Sequence, residues 1–320
     1  MEALRHDNPA HRPTRERQWL APFAVNVPAV LAVHRRGLGD PAYYSGEPGV
    51  VWRACLTPDG PGTLRVTWRR DAKQTLVDAV TWGPGASWLL DALPAMLGAD
   101  DHPEHFAPED PVLRAAVRRH RGLRIGRTSL VLEALVPAVL EQKVVGAEAT
   151  RSWRKLLARF AEPAPGPAGA IPARLRVPLS PAGWASIPSW DWHLAGVEAA
   201  RARTIAGAAR VASRLEEVPA LPSAEADRRL QALPGIGQWT AAEVRQRACG
   251  DPDAVSVGDY HLPALVGQAL VGHEVDDAEM LALLAPYAGQ RHRAATLASM
   301  SATVRPRRGP RNPVRDYRSF

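Results

Sequence analysis

Residues 231–262 read QALPGIGQWTAAEVRQRACGDPDAVSVGDYHL, and this stretch decides how the rest of the chain is read. Gly235 and Gly237 allow a tight turn whose backbone N–H groups sit just ahead of a helix that starts near Gln238. Such a turn offers amides and the positive end of a helix dipole to an anion, a DNA phosphate among them. An ordinary helix–helix turn has the same local signature. Further on, Asp259 follows a strand-like run, Ala254–Val257, and opens another helix. An aspartate there is a good N-cap. It is then held at a helix start and points into whatever cleft lies between the two helical halves.

Composition narrows the class. The 320 residues allow about two domains and a sizeable core. Forty Lys+Arg against 33 Asp+Glu leave a net charge of +7, and the pI is near 10.0. A basic surface suits a polyanion such as nucleic acid, although many ordinary enzymes are basic too. Only Lys73, Lys143 and Lys155 are lysines. With 46% hydrophobic residues the composition is globular rather than disordered. No apolar run reaches about 18 residues, and the opening MEALRHDNPAHRPTRERQW lacks the apolar core of a signal peptide, so the expectation is cytoplasmic. Cys55 and Cys249 are too few for a disulfide framework, a four-cysteine zinc site or an iron–sulfur cluster.

The expected architecture is α+β: a small antiparallel β-rich N-terminal domain, then a mostly helical core of two subdomains. Residues 1–20 read as a flexible basic tail, 21–108 as the β-rich domain, 109–304 as the helical core with its hairpin at 224–248, and 305–320 as an Arg/Pro-rich tail. Strands are expected in Phe23–Val33, Val50–Leu56, Thr63–Arg69 and Thr75–Trp82, with a hairpin turn in Thr57–Thr63. Helices are expected at Gly85–Leu97, Pro111–His120, Ser129–Gln142, Gly146–Phe160, Gly196–Glu216, Ser223–Ala232 with Ser223 as N-cap, Gln238–Ala248, Tyr260–Val271, Asp277–Leu284 and Gln290–Met300. The Pro/Gly/Ala run Ala161–Ala173 reads as a surface insertion tolerant of change.

The segment resembles the helix–hairpin–helix DNA glycosylase superfamily, whose signature is such a hairpin followed by a catalytic Asp. It is most similar to the bacterial 3-methyladenine DNA glycosylase II branch. LPGIGQWTA, Leu233–Ala241, matches that branch's hairpin, and Gly258–Tyr260 matches its catalytic segment. Asp259 lies 22 residues after Gly237, the family's spacing. Leu132–Gly146, Gly196–Ile205 and Pro286–Ala294 look like further family motifs, and the β-rich part fits the branch's small sheet domain more loosely.

The resemblance implies base-excision repair. Double-stranded DNA carrying damaged bases is bent, a nucleotide is flipped into a pocket, and its N-glycosidic bond is hydrolysed. Asp259 takes the catalytic position, and alkylated purines such as 3-methyladenine and 7-methylguanine are the expected substrates, with hypoxanthine or uracil as further ones. Bifunctional members carry a lysine where Gln238 stands, so the expected enzyme is monofunctional, without a lyase step. Trp239 matches a base-pocket aromatic, and a cationic base on indole gains about 0.5–2 kcal/mol. Gln238, Glu243, Trp190 and Trp192 are further pocket candidates, each of the tryptophans equally suited to packing. Glu243 departs from the family, which has a Tyr there. Gly235, Ile236, Gly237, Thr240, Gln142, Lys143, Val144, Arg291 and Arg293 are DNA-contact candidates, with Lys143 or Val144 at the position that fills the gap left by the flipped base. The family's hairpin binds a monovalent cation, Na or K, through carbonyls matching Gln231, Leu233 and Ile236. No organic cofactor is implied, and His102, His105 and His120 are not expected to bind a metal. The expected state is a monomer in the bacterial cytoplasm, nucleoid-associated. A non-catalytic lesion-sensing protein of the same fold remains the alternative, with a helical transcription factor behind it.

Overall fold

The computed structural model describes residues 15–70 and 74–302. The N-terminal part is one antiparallel sheet in the order β1-β5-β4-β3-β2: β1 Arg15–Ala21, β2 Tyr43–Tyr44, β3 Val50–Thr57, β4 Gly60–Arg70 and β5 Thr75–Trp82. The β3–β4 hairpin closes at Thr57↔Gly60, so Pro58–Asp59 form a two-residue turn, as the Asp-Gly signal implies. The expected tail to residue 20 gives way at Arg15. Residues from Arg15 onward pair with β5, with Trp19 opposite Val77. The remaining tail positions and the C-terminal tail lie outside the described residues.

The expected strand at Phe23–Val33 is instead a helix, α1 Val27–Ala32. Asn26 Oδ1 accepts the Ala29 N–H at 3.3 Å, Pro28 sits in the first turn, and Val27, Val30 and Leu31 bury one face at helical spacing. Together with α2 Ala86–Met96, this helix covers one face of the sheet, where Val51, Cys55, Leu64, Val66, Val77 and Ala79 meet Leu31, Leu89 and Leu93.

Residues 161–177 cover the other face, which corrects the reading of Ala161–Ala173 as a change-tolerant insertion. Ala164, Ile171, Leu175 and Val177 pack on Trp52 and Trp82, whose rings stack at 5.6 Å. Thr63 Oγ1 donates to the Pro165 carbonyl at 2.7 Å. With both faces covered, Val51–Cys55 of β3 are buried without alternation, and Val50 and Leu56 at either end are half-buried.

Helices follow: α3 Pro111–Arg119, α4 Val131–Leu140, α5 Gly146–Phe160, α6 Pro181–Ser186, α7 Ser189–Ala195, α8 Ala199–Arg210, α9 Ala212–Leu215, α10 Ser223–Gln231, α11 Gln238–Val244, α12 Leu262–Leu270, α13 Asp277–Leu284 and α14 Arg291–Ser301. They form two bodies. In the first, α4 through α11 share one core around Leu135, Trp153, Trp184, Ile205 and Val244. In the second, α3 crosses back to pack with α12, α13 and α14 through Leu113, Val266, Met280 and Leu297. The molecule is α+β with a helical core of two subdomains.

Several boundaries move. The expected single helix Gly196–Glu216 breaks at Val211 into α8 and α9. α4 has no side-chain cap of its own. Glu216, just past α9, reaches over to accept its first amides, Val131 N at 2.7 Å and Leu132 N at 2.9 Å. Ser223 is not the N-cap of α10. Pro222 occupies that place, and the Ser223 hydroxyl donates to Asp251 at 2.7 Å. α11 ends at Val244 and continues as a π-turn over Arg245–Cys249. Ala254–Val257 is an irregular link, not a strand.

Trp184 is fully buried and stacks between Trp153 and Trp192, at 6.1 Å on each side. Trp184→Ala is expected to cost about 3–5 kcal/mol, read as a lower denaturant midpoint.

Candidate active site on the hairpin

The hairpin between α10 and α11 closes on Gly235, whose φ of 88° suits glycine. A Cβ there would meet Thr204 Oγ1 at 2.1 Å, so α8 packs directly under the turn. The Ile236 side chain is buried in the first helical core, which leaves only its backbone to face outward. Gly237 has open space above it and precedes the first turn of α11, where Gln238 is exposed.

Gln142, at the end of α4, is tied to this hairpin. Its Nε2 donates to the Gly235 carbonyl at 2.9 Å and to Thr240 Oγ1 at 2.8 Å. Thr240 is buried, so its hydroxyl serves that latch and is withdrawn from the DNA-contact set expected for it. Lys143 follows, exposed and with a left-handed φ of 56°. The latch and the unusual backbone together present Lys143 at the loop tip beside the hairpin. Val144 is half-buried against the helical core rather than projecting.

Asp259 lies three residues ahead of α12 and is anchored at both oxygens. The N-cap of α12 is His261, not Asp259 as expected, but Asp259 Oδ1 accepts the backbone N–H groups of His261 and Leu262 at 2.8 and 2.9 Å and so is tied to the helix start. Oδ2 accepts the indole N–H of Trp239 at 3.1 Å. The structure thus joins Trp239 of α11 to Asp259 of the link before α12, 20 positions apart in sequence. Tyr260 is 80% exposed beside them, edge-on to the His261 ring. A half-exposed carboxylate with three N–H donors is fixed in orientation.

Other expected site residues serve the framework. Trp192 is buried in the core against Trp184, which removes it as a pocket wall, and Trp190 is 64% exposed on α7, which packs on α5 and α8. Glu243 is 9% exposed and fully engaged. Oε1 accepts from Ser256 Oγ at 2.6 Å and Oε2 from Arg247 at 2.7 Å, so it is not an open pocket wall. Arg293 is 3% exposed and bound to Asp101 and Gln290, which takes it out of reach of a DNA phosphate. Arg291 places its backbone N–H and its guanidinium on Asp253. Both arginines brace the link that leads to Asp259. Gln231 turns its amide to Asp227 at 2.6 Å, and the Leu233 carbonyl accepts the Ile236 N–H at 3.1 Å.

The sequence reading missed the polar network under this link. Arg245 bonds Asp227, Asp251 and Ser223, and Gln246 donates to both the Ala254 carbonyl and Ser256 Oγ at 2.8 Å. The Asp-Pro-Asp run at 251–253 was the available signal.

No family model matches the chain. Over 262 residues it is 33% identical to a Mycobacterium tuberculosis protein described as "Probable bifunctional transcriptional activator/DNA repair enzyme AlkA", an alignment that takes in 76% of this chain and 48% of the relative. The chain therefore spans about half the length of the curated relatives it matches. Among solved structures, the 3-methyladenine DNA glycosylase from Archaeoglobus fulgidus superposes with a TM-score of 0.72 at 19% identity, covering 88% of this chain and 97% of that one. An 8-oxoguanine glycosylase/lyase from Clostridium acetobutylicum, solved with double-stranded DNA, gives 0.65 at 12% identity over 90% and 96% of the two chains. At those identities the likeness is one of fold. The fold is that of the helix–hairpin–helix glycosylases. With the AlkA relative and the hairpin and spaced aspartate of Gln231–Leu262, the chain belongs to the helix–hairpin–helix DNA glycosylase superfamily.

Desolvation pushes the His292 imidazole down to about 4, with Arg247 and Arg293 acting in the same direction against Glu243 and Asp251. Burial also lowers His34, with Arg53, Arg247 and Arg36 adding to the effect. The unfolded chain takes up these protons near pH 6.5. Between that pH and about 4 it binds more protons than the native state, so stability is full above the unfolded value and falls as pH drops through this window. Urea midpoints should decline from pH 7 to pH 5, and His292→Gln should remove part of the slope. A flat profile would contradict the burial of both rings.

Proposed function

We propose that the protein is a monofunctional DNA glycosylase of base-excision repair that removes alkylated purines. The observation that carries this reading is the Asp259 carboxylate, held by three N–H donors beside the Trp239 indole just ahead of α12. N-glycosidic cleavage builds positive charge on the sugar, as in other glycoside hydrolysis. A carboxylate fixed in place stabilises that charge, and water completes the hydrolysis. The reacting bond is out of reach within a stacked duplex, so the nucleotide is flipped first. Trp239 offers an indole to the base, and a cationic base such as 3-methyladenine or 7-methylguanine gains from that contact. The names of the mycobacterial and archaeal relatives support repair chemistry and this substrate class.

Gln238 stands where a lyase needs a lysine and has no amine for a Schiff base. The exposed backbone of Gly235–Gly237 and the cation of Lys143 meet the phosphates and the gap in the stack. A monovalent cation would bridge hairpin and phosphate through the Gln231, Leu233 and Ile236 carbonyls. The donor set, backbone oxygens only, fits a hard cation, although the Leu233 oxygen already accepts one amide. No helix among the described residues is long and apolar enough to cross a membrane. A monomer acting on double-stranded DNA in the cytoplasm is the simplest state.

Single-turnover base release tests the reading. Duplexes carrying 7-methylguanine or 3-methyladenine should yield free base and leave alkali-labile, unbroken strands, with no borohydride-trapped complex. Asp259→Asn should slow release by about 100-fold to 1,000-fold while keeping affinity for a duplex with an abasic analogue. Lesion binding without release from any substrate would turn the reading into a lesion sensor. Strand scission with a trapped adduct would overturn the monofunctional step.

A further inference from the structure

Glu243 lies one turn after Trp239 on α11, and both residues reach the link that carries Asp259. The indole of Trp239 holds the Asp259 carboxylate. Glu243 holds Ser256, whose hydroxyl donates at 2.6 Å and also accepts from Gln246 at 2.8 Å. The Ser256 carbonyl in turn accepts the backbone N–H of Asp259 at 3.2 Å. A continuous bonded path therefore runs from the Glu243 carboxylate through Ser256 to the backbone of Asp259.

The link has no strand or helix between Asp251 and Asp259; side chains meet the Asp253 and Gly258 amides and the Ala254 carbonyl, and backbone groups meet the Asp251, Val257 and Asp259 amides and the Pro252 carbonyl. Burial alone would raise the Glu243 carboxyl, but Arg247, the Ser256 hydroxyl and Arg36 outweigh it and hold the group below its ordinary value. The network is therefore charged, and its buried acceptor is committed to Ser256 and Arg247.

We propose that Glu243 is a positioning residue for Asp259: acting through Ser256, it sets the link so that the carboxylate stands where the sugar's charge develops. The role replaces a pocket function at this place, since the side chain is turned into the protein and bonded at both oxygens. The inference rests on the glycosylase reading given above.

The full chain is assayed as wild type, Glu243→Ala, Glu243→Gln and Ser256→Ala. Three readouts are taken: single-turnover release of 7-methylguanine, affinity for a duplex with a tetrahydrofuran abasic analogue, and amide hydrogen exchange over residues 254–260. Because a misplacement of about 1 Å costs on the order of 100-fold in rate, Glu243→Ala and Ser256→Ala should slow release by about 10- to 100-fold. Their affinity for the analogue should stay within about 3-fold, and exchange in the link should rise about 10-fold or more. Glu243→Gln keeps an oxygen for Ser256 and should recover most of the rate. Wild-type release and exchange in Glu243→Ala would overturn the proposal. So would an equal fall of rate, affinity and thermal midpoint in all three variants, which marks general destabilisation. If the wild type releases no base while exchange still rises in Glu243→Ala, the glycosylase reading fails and the link-holding role stands.

Discussion

The link from Asp251 to Asp259 has no regular secondary structure, yet it must hold a carboxylate in one place. Buried polar groups need partners. Here the link's own polar side chains are held from three directions. Asp251 is gripped by Arg245 and Ser223, Asp253 by Arg291, and Ser256 by Glu243 and Gln246. Asp259 then ties the end of the link to the amides of His261 and Leu262. An irregular segment satisfied in this way is stiff for the same reason a helix is: each polar group would be left unpaired if it moved.

The same logic joins the sheet and the two helical bodies. β3 of the sheet reaches α4 through the buried Arg53–Glu133 pair, and the Val33 carbonyl accepts from Arg247 at 3.1 Å. Thr128 and Ser129 donate their amides to the carbonyls of Arg247 and Ala248, both at 3.0 Å. Asp101, just past α2, binds Arg293 of α14 and the amide of Ile125. Apolar burial supplies the separate cores. The polar contacts between them set how the hairpin, Lys143 and Asp259 face one another. Truncating one partner of such a buried pair leaves an uncompensated charge, so these contacts act as alignment devices as much as sources of stability.

The superfamily's two marks, hairpin and spaced aspartate, are kept, while the surroundings are altered. Gln238 removes the amine of a lyase, and Glu243 replaces an aromatic with an inward-facing charge. Trp239 gives its indole N–H to Asp259.

Local conformation was legible where near neighbours decide it. Gly146–Phe160, Asp277–Leu284 and Thr75–Trp82 match their elements, because helical or alternating spacing and turn residues act within a few positions. The hairpin glycines and the spacing to Asp259 were legible for the same reason. Val27–Ala32 was misread because a short apolar run suits strand or helix alike until a sheet face is there to receive it. Ala161–Ala173 has a loop's composition, and only the outer face of the sheet makes it a cover. The roles of Thr240, Glu243, Arg291, Arg293 and Trp192 depended on partners that sequence does not pair. Arg293 and Asp101 lie 192 positions apart, and Gln142 and Thr240 98. Sequence by itself determined the turn, the spacing to Asp259 and the likeness to a family. Tertiary structure decided which polar side chains turn inward, because burial leaves a charged or hydroxyl group stable only where a distant partner meets it.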